Sequence, residues 1–190
     1  IGSVKDLETV ERLVRAGQYM GPYVLNWVSI GGGHDGPNPR NLMEFVNRVP
    51  QHATLTVEGI MRHLYPLCTM GIAMGLHVRC GIGDNLWARK GERATSVQQI
   101  ERLVRISHEL FRPIATGEEA RRIYKIGEFY SSIDETLERN GWLPNRKPVA
   151  GAVHGHRPCV GIAVDHRPDV AQLAVQVTVD RVQATGGVEH

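Results

Sequence analysis

The sequence predicts an α/β fold in which helices cover parallel strands, and within that class a partial (β/α)8 TIM barrel. Helical and strand patterns alternate along the chain, and the predicted strands are continuous apolar runs, as in parallel sheets buried on both faces. The glycine-rich segment 31–36, GGGHDG, lacks the G-x-G-x-x-G and P-loop patterns of doubly wound nucleotide-binding folds. Three strands cannot close a barrel, and an open three-stranded sheet leaves two long edges unpaired. We therefore expect the last three strands of an eight-stranded barrel with their helices.

The first half of the chain contains two predicted helix–strand pairs. Apolar residues at helical spacing predict a helix over residues 4–16. Residues 23–30, YVLNWVSI, are rich in β-branched and aromatic residues and predict the first strand. Asn38 followed by Pro39 is typical of a helix start. Residues 53–57, ATLTV, predict the second strand.

The next elements complete the predicted barrel portion. A helix is expected over roughly residues 64–74, and residues 76–80, LHVRC, predict the third strand. Ser96 and Gln99 have the S-x-x-Q spacing of a capping box, which predicts the start of a helix over residues 97–111. This last helix would close the barrel.

The end of the chain divides into a helical extension and a tail. Thr116 and Glu119 form a second predicted capping box, and residues 117–139 after it are expected to form a helical extension. Such an extension often joins subunits in oligomeric barrels. Residues 1–145 are interpreted as the C-terminal part of a barrel domain. Residues 146–190 contain no Phe, Tyr, Trp or Met, and we interpret them as an irregular tail, disordered or non-native. Within it, His154 and His156 have the His-x-His spacing that zinc sites use, but we assign them no role.

Composition excludes several classes of function. The 22 basic and 20 acidic residues give a net charge of +2 without long charged runs, which argues against nucleic-acid or membrane-surface partners. No apolar segment is long enough to cross a membrane, so we expect a cytoplasmic protein. The three cysteines are widely spaced and form no C-x-x-C pair. Because the chain opens on Ile1, we expect it to be incomplete.

Candidate functional residues follow the predicted second and third strands. Arg79 and Asp84 lie five positions apart across a turn that follows the third strand. An arginine offers a planar fork for a carboxylate or phosphate, and an aspartate beside it acts as a base or a metal ligand. The alternative is a structural ion pair at the barrel rim, and both interpretations stay open. Arg62, which precedes His63 after the second strand, and Asn85 are candidate substrate-binding residues.

Three motifs carry a resemblance to a known family. They are G-I-x-R-H at Gly59 to His63, G-L-H-V-R-C-G-I-G-D-N at Gly75 to Asn85, and A-T-x-x-E-A-R at Ala115 to Arg121. In this order and spacing they resemble the C-terminal portion of the β-keto acid cleavage enzymes, the family that contains 3-keto-5-aminohexanoate cleavage enzyme. The likeness covers roughly residues 4–145.

The resemblance implies a zinc-dependent barrel in which a β-keto acid and acetyl-CoA give acetoacetate and a new CoA thioester. It assigns the catalytic base to Asp84 and the arginine that activates and holds the reacting groups to Arg79. It also implies a zinc-ligating glutamate at the position of Gly83, which has no side-chain donor atom. The family's other zinc ligands belong to an N-terminal half that this chain does not contain, so no metal ligand is assigned. The full-length form is expected to be a homo-oligomer.

Two other functions remain open. The replacement of the glutamate by Gly83 is compatible with a non-catalytic relative that binds a CoA-like or carboxylate ligand. An unrelated phosphate-binding barrel is less favoured, because the carboxylate of Asp84 beside the glycine-rich turn would repel the anion.

Overall fold

The computed structural model describes residues 1–32 and 34–146. The predictions for His154, His156 and the tail beyond residue 146 lie outside the described residues. The α-helices are α1 Val4–Arg15, α2 Pro39–Arg48, α3 Leu64–Ala73, α4 Ser96–Glu109, α5 Gly117–Ile123 and α6 Ile133–Arg139, and a single 3-10 turn spans Met61–His63. The strands are β1 Val24–Ser29, β2 Thr54–Gly59, β3 His77–Arg79, β4 Trp87–Arg89 and β5 Glu92–Arg93. In the described part of the chain, no helix combines the length and apolarity that a membrane crossing requires.

The main sheet has three parallel strands in the order β1-β2-β3. Val24 of β1 is opposite Thr54 of β2, and Glu58 of β2 is opposite Arg79 of β3. The mixed α/β class and the parallel strands predicted from the sequence are therefore confirmed. For β1, β2 and β3, each predicted strand end lies within two residues of the observed one.

The two faces of this sheet differ in chemistry, because alternate residues of a strand point to opposite faces. Leu25, Trp27, Leu55 and Val57 belong to the main apolar core, where helices α1 and α2 contribute further buried residues. The opposite face carries polar side chains, which contact one another across the strands. The polar residues are Asn26, Thr56, Glu58, His77 and Arg79.

The helix starts follow the sequence signals closely. The Asn38 side chain accepts a hydrogen bond from the Asn41 N–H at 3.0 Å, and Pro39 is the first residue of α2, as predicted. The capping box of α4 is formed by Thr95 and Gln98, so the prediction of Ser96 and Gln99 was wrong by one residue. Both side chains of that predicted pair instead contact the loop that follows β3.

The predicted extension over 117–139 consists of two short helices rather than one. The capping box predicted at the start of α5 is present. After α5, the Tyr124 hydroxyl lies 2.7 Å from Thr56 Oγ1 and its ring lies 5.1 Å from the His77 ring. This segment therefore packs against Thr56 and His77 on the polar face. Other residues lie at the carboxyl ends of the strands.

Candidate functional site

The candidate site is centred on Arg79, which lies between two buried carboxylates. Its Nη1 is 2.8 Å from Glu58 Oε2, and its Nη2 is 3.7 Å from Asp84 Oδ1. The side chains of Glu58 and Asp84 are 3% and 7% exposed, whereas that of Arg79 is 40% exposed. The guanidinium thus forms ion pairs with two carboxyl groups, which also contact each other, while part of it stays open to a ligand.

The parallel register and a tight turn bring these three residues together. Glu58 and Arg79 are partners in the β2–β3 pairing, so their side chains emerge side by side at the carboxyl end of the sheet. The chain then turns back, since the Asp84 and Asn85 N–H groups donate to the Gly81 carbonyl at 3.0 and 3.1 Å. This turn carries the Asp84 carboxylate towards the arginine that precedes it.

The loop after β2 is tied to the same turn. The Met61 N–H donates to the Asp84 carbonyl at 2.7 Å, although Met61 has a φ of 54°, a value that costs free energy for a residue with a side chain. At Gly59, an added Cβ would lie 2.6 Å from the His63 carbonyl oxygen. Glycine is therefore required there for the loop to approach β2 so closely.

Glu58 has an unusual electrostatic environment. Burial raises its pKa to about 7, and the neighbouring Asp84 carboxyl adds to the rise, while the Asn26 amide and the Arg79 charge oppose it. Asn26 Nδ2 donates to Glu58 Oε2 at 2.8 Å, and Asn26 Oδ1 is buried with no hydrogen-bond partner among the described residues. Glu58 is therefore poised to hold or release a proton near neutral pH.

The predicted substrate-binding residues lie at two different kinds of position. Arg62 is exposed on the 3-10 turn, with its Nε 3.1 Å from His63 Nε2. Asn85 is only 7% exposed, and its side chain donates to the Trp87 carbonyl at 2.8 Å and accepts from the Trp87 N–H at 3.1 Å. The amide of Asn85 thus braces the turn, whereas Arg62 faces solvent; substrate binding by either residue stays a prediction.

Arg79 opens onto a large cavity on the polar side of the sheet. The cavity has a volume of about 1550 Å³, and its lining includes Asn26, Thr56, His77 and Cys80 as well as Arg79. Polar groups from the strands line one side of it, and residues of α4 and α5 line the other. A ligand in this space would meet the exposed part of the guanidinium directly.

Comparison with known proteins identifies the family. The family model described as beta-keto acid cleavage enzyme matches residues 1–126. The chain belongs to the beta-keto acid cleavage enzyme family. This membership confirms the resemblance carried by the three sequence motifs.

Curated members of the beta-keto acid cleavage enzyme family share about a third or more of their residues with the chain where they align. The 3-keto-5-aminohexanoate cleavage enzyme of Acetoanaerobium sticklandii is 35% identical over 118 residues, which is 62% of this chain and 43% of that protein. The enzyme of the same name from Fusobacterium nucleatum is 41% identical over 88 residues, or 46% and 32% of the two chains. The 3-dehydrocarnitine:acetyl-CoA trimethylamine transferase of Rhizobium meliloti is 33% identical over 84 residues, or 44% and 28%. The chain spans less than half the length of these relatives.

Gly83 is the position where this family member departs from the expected metal site. Among the described residues, an added Cβ at Gly83 would meet nothing within 4 Å, so a side chain could begin there, but glycine itself provides no side-chain donor. Among residues 1–32 and 34–146, no group of three or more His, Cys, Asp or Glu side chains is arranged to hold a metal ion. The zinc that the resemblance implies therefore finds no ligand set among the described residues.

Sequence reasoning missed Glu58 as a member of the site. The predicted second strand ended at Val57, although β2 continues through Gly59. A single acidic residue at the end of an apolar strand was the available signal. Its partner, Arg79, is 21 positions later and is reached only through the pairing of β2 with β3.

Proposed function

We propose that the complete protein carrying this sequence cleaves a β-keto acid with acetyl-CoA, with Asp84 as the base and Arg79 as the cation that holds the reacting groups. One observation carries the proposal: a partly exposed Arg79 lies within ion-pair distance of the buried Asp84, on the motif that matches the family. The names of two relatives, the trimethylamine transferase and the 3,5-dioxohexanoate:acetyl-CoA acetone transferase of Paraburkholderia graminis, support acetyl-CoA as co-substrate.

The two side chains supply complementary chemistry. Asp84 accepts a proton from the methylene between the keto and carboxylate groups, and the carbanion forms a bond to the acetyl carbonyl as the CoA thiolate leaves. The thiolate then attacks the original keto carbonyl, and the bond between that carbon and the former methylene carbon of the β-keto acid breaks. Asp84 returns its proton to the departing acetoacetate. The Arg79 guanidinium stabilises the negative charge that moves between oxygen atoms during these steps.

Zinc dependence remains a prediction for the complete protein. When bound, zinc would polarise the keto carbonyl and make the neighbouring methylene more acidic. Because Gly83 has no side-chain donor atom and the described residues offer no ligand set, no step above depends on the metal.

We extend the proposal to the architecture of the complete protein. The parallel sheet would form the last three strands of a (β/α)8 TIM barrel, with its polar face directed to the barrel interior. Support comes from the position of Glu58 and Arg79 at the carboxyl ends of their strands, where barrel enzymes carry their active sites. A homo-oligomeric, cytoplasmic protein remains the expectation.

A second candidate function is favoured by Gly83. Loss of the carboxylate expected there, in a site that keeps Arg79, is compatible with a non-catalytic relative that binds a CoA-like or carboxylate ligand. In that case Arg79 would bind the anion without turnover.

The test is an assay of the complete protein with acetyl-CoA labelled in the acetyl group and a panel of β-keto acids. Labelled acetoacetate together with a new CoA thioester, detected by mass spectrometry, is the expected result. The Gly83→Glu variant is assayed in parallel, because no described atom lies within 4 Å of a Cβ added at this position. Ligand binding without turnover in the original protein, and turnover only in the variant, would favour the non-catalytic function.

A further inference from the structure

The shortest contact of Arg79 is not with the predicted base. Its Nη1 lies 2.8 Å from Glu58, whereas its Nη2 lies 3.7 Å from Asp84. At 3.7 Å the second contact is an ion pair without hydrogen-bond geometry. The ion pair with Glu58 is therefore the closer of the two, and Asp84 lies nearer the other terminal nitrogen of the guanidinium.

Glu58 is itself held in one position. Its Oε2 accepts a hydrogen bond from Asn26 Nδ2 at 2.8 Å and forms an ion pair with Arg79 Nη1, and its side chain is 3% exposed. Asn26, Glu58 and Arg79 come from β1, β2 and β3 respectively. A polar row thus crosses the whole sheet and ends at Asp84, so each member restricts the orientation of the next.

We propose that Glu58 is a positioning residue of the reaction site: it fixes Arg79 through Nη1, so that Nη2 and the exposed edge of the guanidinium face Asp84 and the substrate. This inference rests on the function proposed above and adds to it a residue outside the Gly75–Asn85 motif. Glu58 would not touch the substrate, because its side chain is only 3% exposed; it would act through Arg79 and through its contact with the Asp84 carboxyl.

The charges around Glu58 give this role a measurable signature. The pKa of Glu58 responds to three neighbours: Asn26 on β1, Arg79 on β3 and Asp84 in the loop after β3. The charge of Glu58 in turn raises the pKa of Cys68 on α3. While Glu58 holds a proton, Arg79 and Asp84 carry opposite charges that sum to zero, and the exposed edge of the guanidinium is available to an anionic substrate. Release of that proton adds a second negative charge beside Arg79, which weakens the attraction.

The decisive variants are Glu58→Gln and Glu58→Ala in the complete protein. Glutamine keeps an oxygen acceptor for Arg79 but cannot ionise, so KM and kcat should stay within about threefold of the original values. The decline in kcat/KM that we expect in the original protein as the pH rises through about 7 should disappear. Alanine releases Arg79 and should reduce kcat by about 10²-fold, the scale seen when reacting groups are misplaced by about 1 Å.

A control variant removes an ion pair of the same length on the surface of a helix. Glu11 contacts Arg15 at 2.8 Å on α1, and Glu11→Ala should leave kcat and its pH profile unchanged. If Glu58→Ala likewise lowers only thermal stability, with kcat and the pH profile intact, Glu58 is a structural brace and the proposal is wrong.

A measurement that does not need turnover separates this inference from the proposed function. In the 190-residue chain, the nitrogen resonances of a fixed guanidinium remain distinct, whereas those of a freely rotating one merge. We expect distinct Arg79 Nη signals in the original chain and in Glu58→Gln, and merged signals in Glu58→Ala. If no β-keto acid is cleaved but these signals behave as expected, the proposed reaction fails while Glu58 still positions Arg79. Unchanged Arg79 signals in Glu58→Ala would overturn the positioning role itself.

Discussion

Replacing Glu58 by glutamine should change how the stability of the 190-residue chain depends on pH. Burial and the Asp84 carboxyl raise the pKa of Glu58 from 4.5 to about 7. Between these values the folded protein keeps a proton that the unfolded chain has released. The stability associated with that proton is complete below the lower pKa and is lost as the pH rises through about 7.

The size of the effect follows from the same shift. Moving the pKa from 4.5 to about 7 corresponds to a free energy on the order of 3 kcal/mol, because each tenfold change in proton affinity is worth about 1.4 kcal/mol. Glutamine cannot ionise, so the Glu58→Gln variant should lack this loss. The difference in unfolding free energy between the two proteins should therefore change by that amount between about pH 5 and about pH 8.

Urea unfolding at a series of pH values, followed by tryptophan fluorescence to which the buried Trp27 contributes, provides the measurement. Burial and the charge of Arg112 lower the pKa of His77, so this residue also contributes to the pH dependence of stability. Its effect has the opposite sign, because the folded state disfavours protonated His77, and it cancels when the two proteins are compared. Parallel pH curves for the original chain and Glu58→Gln would refute the assigned environment of Glu58.

Three further outcomes test the local structure of the site. Gly59→Ala should reduce the free energy of unfolding, measured by urea denaturation, by about 1–3 kcal/mol. The reason is that the new Cβ would lie 2.6 Å from the His63 carbonyl oxygen. A neutral result would contradict that close approach. Gly83→Ala is its matched control and should stay within about 0.5 kcal/mol, because nothing lies within 4 Å of the added Cβ; a larger loss would mean that the turn is packed differently. Cys68 should resist alkylation in the native chain at about pH 8, as read by peptide mass spectrometry, since burial raises the pKa of its thiol to about 12; rapid native labelling would show that the α3–β3 core opens.

The strands and helices were predictable because their signals are local. The apolar strand around Trp27 and the Asn38–Pro39 helix start each depend on a few adjacent residues, and the structure confirms both. The cap of α4 was misplaced because Thr95 with Gln98 and Ser96 with Gln99 satisfy the same spacing. The contacts of Ser96 and Gln99 with the turn after β3 distinguish the two pairs.

The site was only partly predictable for a physical reason. Arg79 and Asp84 are joined by one turn, so a motif reveals their proximity. Glu58 joins them through the register between two strands, and register depends on how whole strands pack. The β4–β5 hairpin escaped prediction as well, because its strands of three and two residues are too short to show a period.

The most direct test of the central claim is the turnover of the complete protein after Asp84→Asn. The exposed Asp134 of α6 supplies the control, Asp134→Asn, which removes a carboxylate far from the site in sequence. If Asp84 is the base, acetoacetate formation should fall by about 10²–10⁴-fold, while the control keeps the original rate. An Asp84→Asn rate within about twofold of the original would contradict the account and leave Arg79 and Asp84 as a structural ion pair.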